Sequence, residues 1–315
     1  MFRGFDKINS IGIAGAGTIG GAWAAYFLAK GFDVHVADSD AGVEARVNAL
    51  VEAAWPKFER LGWIAAGAGL DRLNFHTSFA ELTGVDFVQE SVFEKLEVKR
   101  QALRELDAVL PADVIISSST SGLLVSDMQQ GLTHAARVLI GHPMNPPHLI
   151  PLVEIVGGDQ TDPEAVREAT NFYNAIGKRA VVLNKPVIGH LATRLTVALW
   201  REAAFLVASG VASAEDVDAA VVYGPGLRSA IAGPHLSYHM GGGENGLAGF
   251  FAWAKEPLKV WAGDLGAPEI NDALIEALVL GVNRAVGDVP IKQLADARDA
   301  DLIAVLGALE GRQLT

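Results

Sequence analysis

In "GHPMNPPHLIPLVEIVGG" (residues 141–158), His142 precedes a run of prolines, and Glu154 stands twelve positions later in an alternating apolar segment, 152–156. An imidazole titrates near neutrality and can take the hydroxyl proton of an alcohol as hydride leaves its carbon. A carboxylate on the other ring nitrogen would fix the tautomer and stabilise the imidazolium. The competing reading is a satisfied core histidine with Glu154 paired elsewhere. "SSSTS" at 117–121 gathers hydroxyls at a strand end, although capping serines would read the same way.

Gly15-x-Gly17-x-x-Gly20 is weak evidence alone. Here it follows a strand, opens a helix and has Asp38 23 positions after the first glycine. In that setting the glycines permit a tight turn, with Thr18 and Ile19 opening a helix whose amides approach a pyrophosphate. Asp38 would accept hydrogen bonds from the adenosine ribose and repel a 2′-phosphate. Ser39 and Asp40 follow, not Arg or Lys, so NAD is expected over NADP. His235-x-x-x-His239 has metal-ligand spacing if helical, but no acidic residue lies between and no third ligand is evident, so no metal is expected.

These groups need elements to hold them. Strand 10–14, the glycine turn, a helix to about 30 and strand 34–37 make one βαβ unit. A mostly polar helix over 42–61 follows, then a strand ending at Glu90 and a helix over 97–109. After the strand "VIISSST" come a short helix around 124–130, the strand "RVLIGH", the Pro-rich connector and "LVEIV". Alternation of strands and helices predicts an α/β fold with a Rossmann-type doubly wound parallel sheet, ligands binding at the strand C-termini. Asp38, Glu90, Ser119 and His142 fall at those ends. Past "VVLNKPVIGH" every stretch has helical spacing, so an all-helical C-terminal domain is expected. Lys185-Pro186 marks the boundary, because the residue before proline is pushed out of helical geometry. The domains are therefore 1–186 and 187–315.

A chain of 315 residues is long for a single hydrophobic core, and only 20% of it is charged. A formal charge of −12 disfavours nucleic acid and anionic membrane as partners. With no cysteine there are no disulfides or thiolate chemistry, which fits a reducing compartment. Residues 8–29 carry no charge for 22 positions, long enough to imitate a membrane span. Their five glycines suit a strand, turn and buried helix instead, so a cytoplasmic protein is expected.

Over almost its whole length the chain resembles the 3-hydroxyacyl-CoA dehydrogenase superfamily. "GAGTIG", "ADSD", "QESVFEKLEVK", "SSSTSGLL", "GHPMNPP", "PLVEIVGG" and the helical "RLTVALWREAAFLVASGVASAEDVDAAVVYGPGLR" carry the resemblance in order and spacing. It implies that His142 is the catalytic base, Glu154 its partner, and Ser121 and Asn145 the groups that hold the substrate oxygen. It places Glu90 and Lys95 along the nicotinamide side, and implies a homodimer built through the helical domain.

Two departures narrow the substrate. Where acyl-CoA members have "GF-x-x-NRL" this chain reads "GHLATRL", with Thr193 at the usual asparagine and His190 at the usual phenylalanine. Residues 41–62, lysine-rich in those members, hold two Arg, one Lys and three Glu, an unpromising surface for CoA. The chain is more similar to the branch acting on small free 3-hydroxy acids, the L-carnitine dehydrogenases first, then L-gulonate 3-dehydrogenase and lambda-crystallin. A free carboxylate needs a cation, for which Arg228 is the candidate. A quaternary ammonium would want aromatic faces, and Trp200, Tyr223, Tyr238, Phe250, Phe251 and Trp253 are available either as a cage or as ordinary core. Three alternatives stay open: another small 3-hydroxy acid, an acyl-CoA substrate, or a crystallin-like protein that binds NADH without turnover.

Overall fold

The uncharged stretch 8–29 resolves into β1 (Ser10–Ala14), the glycine turn and α1 (Thr18–Ala29). Gly20 through Ala29 are all buried, which is why that helix is apolar on every side. In the computed structural model, which describes residues 1–310, no helix is long and apolar enough to cross a membrane. Next come β2 (Asp33–Ala37) and α2 (Val43–Leu61). Helix α2 buries Val43, Val47, Val51, Ala54 and Phe58, a stripe at helical spacing laid on α1, and turns its charges outward. Strand β3 (Leu73–His76), β4 (Phe87–Glu90), α3 (Leu96–Val109), β5 (Ile115–Ser118) and the single turn α4 (Val125–Met128) follow. Then come β6 (Val138–Pro143), β7 (Leu152–Val156), α5 (Pro163–Ala175) and β8 (Arg179–Val182).

All eight strands form one sheet in the order β3-β2-β1-β4-β5-β6-β7-β8. Six strands in the order 3-2-1-4-5-6 make the Rossmann arrangement, with the topological switch between β1 and β4. The central strands β4, β5 and β6 are buried along their whole length, as expected where helices cover both faces. One pairing departs from the parallel expectation: β7 runs antiparallel to β6. The Pro-rich connector is too short for the helical crossover a parallel pair requires, so the chain must double back. Strands β3 and β8 and helix α5 extend the sheet beyond the elements read from the sequence. Both strands are short and partly exposed, so neither carries a strong apolar signal.

The chain divides into two compact units, residues 1–194 and 195 onward. Helix α6 (Ala192–Ala208) begins in the first. The second holds the rest of α6, α7 (Ala214–Val221), the turn α8 (Leu227–Ser229), α9 (Pro234–Gly241), α10 (Gly246–Asp264), α11 (Asp272–Val286) and α12 (Ile291–Leu309). It contains no strand among the described residues, and it leaves many large apolar side chains exposed, among them Leu195, Val260, Trp261 and Val279.

Candidate active site

The turn after β1 uses its three glycines differently. Gly15 has φ +86°, and a Cβ there would lie 2.8 Å from the Val92 nitrogen. A Cβ on Gly20 would sit 2.0 Å from the Gly15 carbonyl oxygen, so glycine lets α1 start against the turn. At Gly17 a Cβ would meet nothing within 4 Å, because that residue faces open space. Helix α1 has no side-chain cap and no acid in its first turn, leaving its first N–H groups for an anion. Asp38 follows β2; its Oδ2 accepts from the Ala16 N–H at 2.8 Å and its Oδ1 from the Asp40 N–H at 3.0 Å. Gly15, Gly17, Asp38 and Ser39 line a cavity of about 710 Å³ that reaches Ser91 and Val92. An open glycine face, uncapped amides and a fixed carboxylate fit the pyrophosphate and adenosine ribose of NAD.

A second cavity of about 350 Å³ shares Ser91 and Val92 with the first. Ile19, Ser119, Ser121, His142, Asn145 and Thr193 all line it. The glycine-turn cleft and the histidine cavity therefore adjoin within the first unit.

The β6–β7 register sets His142 directly opposite Glu154, so both side chains stand on one face of the sheet. Nδ1 of His142 lies 2.8 Å from Oε2 of Glu154. The other carboxylate oxygen accepts from the N–H groups of Leu191 at 2.7 Å and Ala192 at 2.9 Å, at the start of α6. Burial by itself would raise the Glu154 pKa, but hydrogen bonds from His142, Ala192 and Leu191 outweigh it and hold the group below the usual carboxylate range. The carboxylate is thus ionised, Nδ1 carries the hydrogen, and Nε2 is the basic nitrogen.

Two residues that the sequence reading passed over line the same cavity, Glu94 and Lys99. Oε1 of Glu94 accepts from Thr120 Oγ1 at 2.6 Å, the Ser121 N–H at 3.0 Å and the Gly122 N–H at 3.3 Å, fixing the loop that carries Ser121. Burial opposes its charge, but Thr120, Lys99 and Ser121 together depress its pKa. Lys99 Nζ lies 3.3 Å from Glu94 Oε2 and donates to Glu90 at 2.9 Å. Glu90 itself is fully buried, accepts from the Val92 N–H and Ser118 Oγ, and lines neither cavity. Lys95 is exposed above the Phe93 ring. The available signal for the other pair was a lysine in the first turn of α3, five positions after a glutamate.

His190 is buried with φ +48°, its Nε2 is 3.1 Å from the Thr120 carbonyl oxygen, and its ring centroid is 5.2 Å from that of His142. Burial lowers its pKa most, so it stays neutral. Lys178, also unanticipated, donates to the carbonyls of Pro147 and Ile150 and stands 3.8 Å over the Tyr26 ring, pinning the connector between His142 and Glu154.

In the second unit Arg228 is exposed on α8. His235 and His239 do share α9, but His239 Nδ1 accepts from the Leu247 N–H at 3.2 Å, and the described residues contain no group of three metal-ligating side chains. Tyr238, Phe251 and Trp253 pack around Phe250, which is buried, while Tyr223 is 81% exposed.

Two family models match in tandem: the 3-hydroxyacyl-CoA dehydrogenase NAD binding domain over residues 10–186 and the C-terminal domain of the same family over 189–287. The chain is 43% identical to an L-carnitine dehydrogenase of Streptomyces coelicolor, over 96% of this chain and 95% of that one. It is 40% identical to one of Bacillus cereus, over 98% and 94%. Among solved structures it is similar to an NAD+ dependent 5-formyl-3-hydroxy-2-methylpyridine 4-carboxylic acid 5-dehydrogenase, with a TM-score of 0.84 at 28% identity over 97% of this chain and 100% of that one. A (S)-3-hydroxybutyryl-CoA dehydrogenase of Ralstonia eutropha gives 0.64 at 26% identity, covering 82% and 96%.

Proposed function

This chain belongs to the 3-hydroxyacyl-CoA dehydrogenase family, and we propose that within it the protein oxidises the 3-hydroxyl of a small free hydroxycarboxylate, L-carnitine, to the 3-oxo acid. The observation that carries this reading is the His142–Glu154 pair beside a cavity that His142 lines and that adjoins the glycine-turn cleft at Ser91 and Val92. Full-length similarity to L-carnitine dehydrogenases supports the choice of substrate.

The enzyme is NAD-dependent, and the bound coenzyme supplies the hydride acceptor. Nε2 of His142 takes the substrate hydroxyl proton as the C–H bond to the 3-carbon breaks, giving ketone, NADH and one proton. Glu154 holds the ring through Nδ1 and balances the imidazolium charge. Ser121 and Asn145 hold the reacting oxygen, and Thr193 shapes the wall beside them. Glu94 fixes the loop on which Ser121 rides.

Assay of carnitine, gulonate and 3-hydroxybutyrate with NAD and with NADP, and of acetoacetyl-CoA and dehydrocarnitine with NADH, tests the reading. Carnitine and dehydrocarnitine should turn over fastest, with NAD preferred. A preference for acetoacetyl-CoA would return the protein to the acyl-CoA substrates, and NADH binding without any rate would mark it as non-catalytic.

The protein is further proposed to be a cytoplasmic homodimer. Support for the dimer comes from the large apolar side chains that the second unit leaves exposed, such as Leu195, Val260 and Trp261. Light scattering giving a monomer mass at micromolar concentration would refute it.

A further inference from the structure

A chain of buried and half-buried hydrogen bonds leads from Ser117 on β5 and Tyr173 on α5 to the residues shared by the two cavities. Ser117 Oγ lies 2.8 Å from the Tyr173 hydroxyl, Tyr173 donates to Oε1 of Gln89, and Nε2 of Gln89 donates to Ser119 Oγ at 2.7 Å. Ser119 Oγ in turn lies 2.8 Å from Ser91 Oγ. Ser117, Tyr173 and Gln89 are fully buried, Ser119 lines the His142 cavity, and Ser91 lines both cavities.

The orientation of the Gln89 amide in this chain is fixed by one backbone atom. Nε2 of Gln89 also donates to the Gly141 carbonyl oxygen at 3.3 Å, and a carbonyl can only accept. The amide must therefore turn its NH2 toward Gly141 and Ser119, and its oxygen toward Tyr173. Burial pushes the Tyr173 phenol up, so it keeps its hydrogen and gives it to that oxygen. Ser119 Oγ accepts from Gln89 with one of its two lone pairs, which leaves its own hydrogen free to point outward, to Ser91 or to whatever occupies the cavity. The fold makes room for this arrangement: a Cβ on Gly141 would meet Ser117 Oγ at 2.2 Å and the Tyr173 hydroxyl at 2.5 Å, immediately before His142. Five buried or half-buried polar side chains would be costly unless paired, and each of these has a partner.

We infer that Gln89 and Tyr173 are positioning residues that turn the Ser119–Ser91 hydroxyl pair into a donor aimed at the carboxamide oxygen of the nicotinamide ring. A dinucleotide spanning the two adjoining cavities would lie beside Ser91, where a donor to the carboxamide would help orient the nicotinamide ring. This inference rests on the NAD reading of the cleft. It is independent of which hydroxy acid is oxidised.

The test compares binding of NADH with binding of ADP-ribose, which lacks the nicotinamide, by fluorescence and calorimetry. In Gln89→Leu, NADH should bind about 3- to 10-fold more weakly while ADP-ribose affinity stays within about twofold, one oriented hydrogen bond being lost at one end of the ligand. The variant Ser119→Ala should reproduce the same split. Should Gln89→Leu fold poorly, the double variant Gln89→Met/Tyr173→Phe removes the donor and acceptor of the Tyr173–Gln89 hydrogen bond together at nearly constant volume. Equal weakening of NADH and ADP-ribose, or no change in either, in a variant that keeps its thermal transition would overturn the inference. So would a raised KM for the hydroxy acid with NADH affinity intact. Failure of the unaltered chain to bind ADP-ribose would instead refute the coenzyme reading itself.

Discussion

Replacing Glu154 by glutamine changes one charge and almost no volume, yet the geometry assigns it a large effect. The native carboxylate accepts on both oxygens: from His142 Nδ1 on one, and from the Leu191 and Ala192 N–H groups on the other. A carboxamide has a single acceptor oxygen. If that oxygen stays on the two backbone donors, the NH2 faces His142, Nδ1 must become the acceptor, and the hydrogen moves to Nε2. The nitrogen that should take the substrate proton is then already protonated. Turning the amide round restores the working tautomer but sets NH2 against two N–H groups, each left without an acceptor at about 1–3 kcal/mol. The active form therefore lies about 2–6 kcal/mol above the resting one, which lowers turnover about 30- to 10⁴-fold. Carnitine oxidation followed by NADH absorbance measures this, with NADH affinity by fluorescence as control. Turnover within about threefold of the unaltered enzyme, with NADH affinity preserved, would remove Glu154 from the mechanism.

Since the Glu154 carboxyl is held below its usual range, its charged form stabilises the fold fully above the ordinary carboxylate pKa and less as pH falls through the depressed native value. The urea midpoint of the unaltered protein should accordingly exceed that of Glu154→Gln by a constant margin near neutrality, and the margin should shrink below about pH 4. Gly20→Ala places a methyl 2.0 Å from the Gly15 oxygen and should cost both NADH binding and thermal stability. Gly17→Ala, with open space around the new carbon, should lower NADH affinity while leaving the melting transition nearly unmoved. Lys178→Met strips one buried and one half-buried connector carbonyl of their donor and should destabilise the fold by about 2–4 kcal/mol in urea titration, with a raised KM through Asn145.

Some of this was written in short stretches of the chain. The glycine turn, α1 and Asp38 span fewer than thirty residues, and their geometry follows from backbone sterics that act within a turn or two. The doubly wound sheet is legible for the same reason, because each strand and helix carries its own periodicity. Even the antiparallel return of β7 was implicit in a connector too short to cross over.

Which carboxylate does what was decided elsewhere. Glu90 and Glu94 are four positions apart, chemically alike and both within reach of Lys99, but Glu90 is fully buried at the end of β4 and lines neither cavity while Glu94 lines the second. His142 and Glu154 could be suspected from their types, but only the strand register makes them partners, since a slip of one residue would turn Glu154 to the opposite face. Gln89 and Tyr173 stand 84 residues apart, a separation no local pattern bridges. Backbone preference is a property of neighbours along the chain. The pairing of buried polar atoms is a property of the closed sheet, because only there does leaving one unpaired cost enough to select its partner.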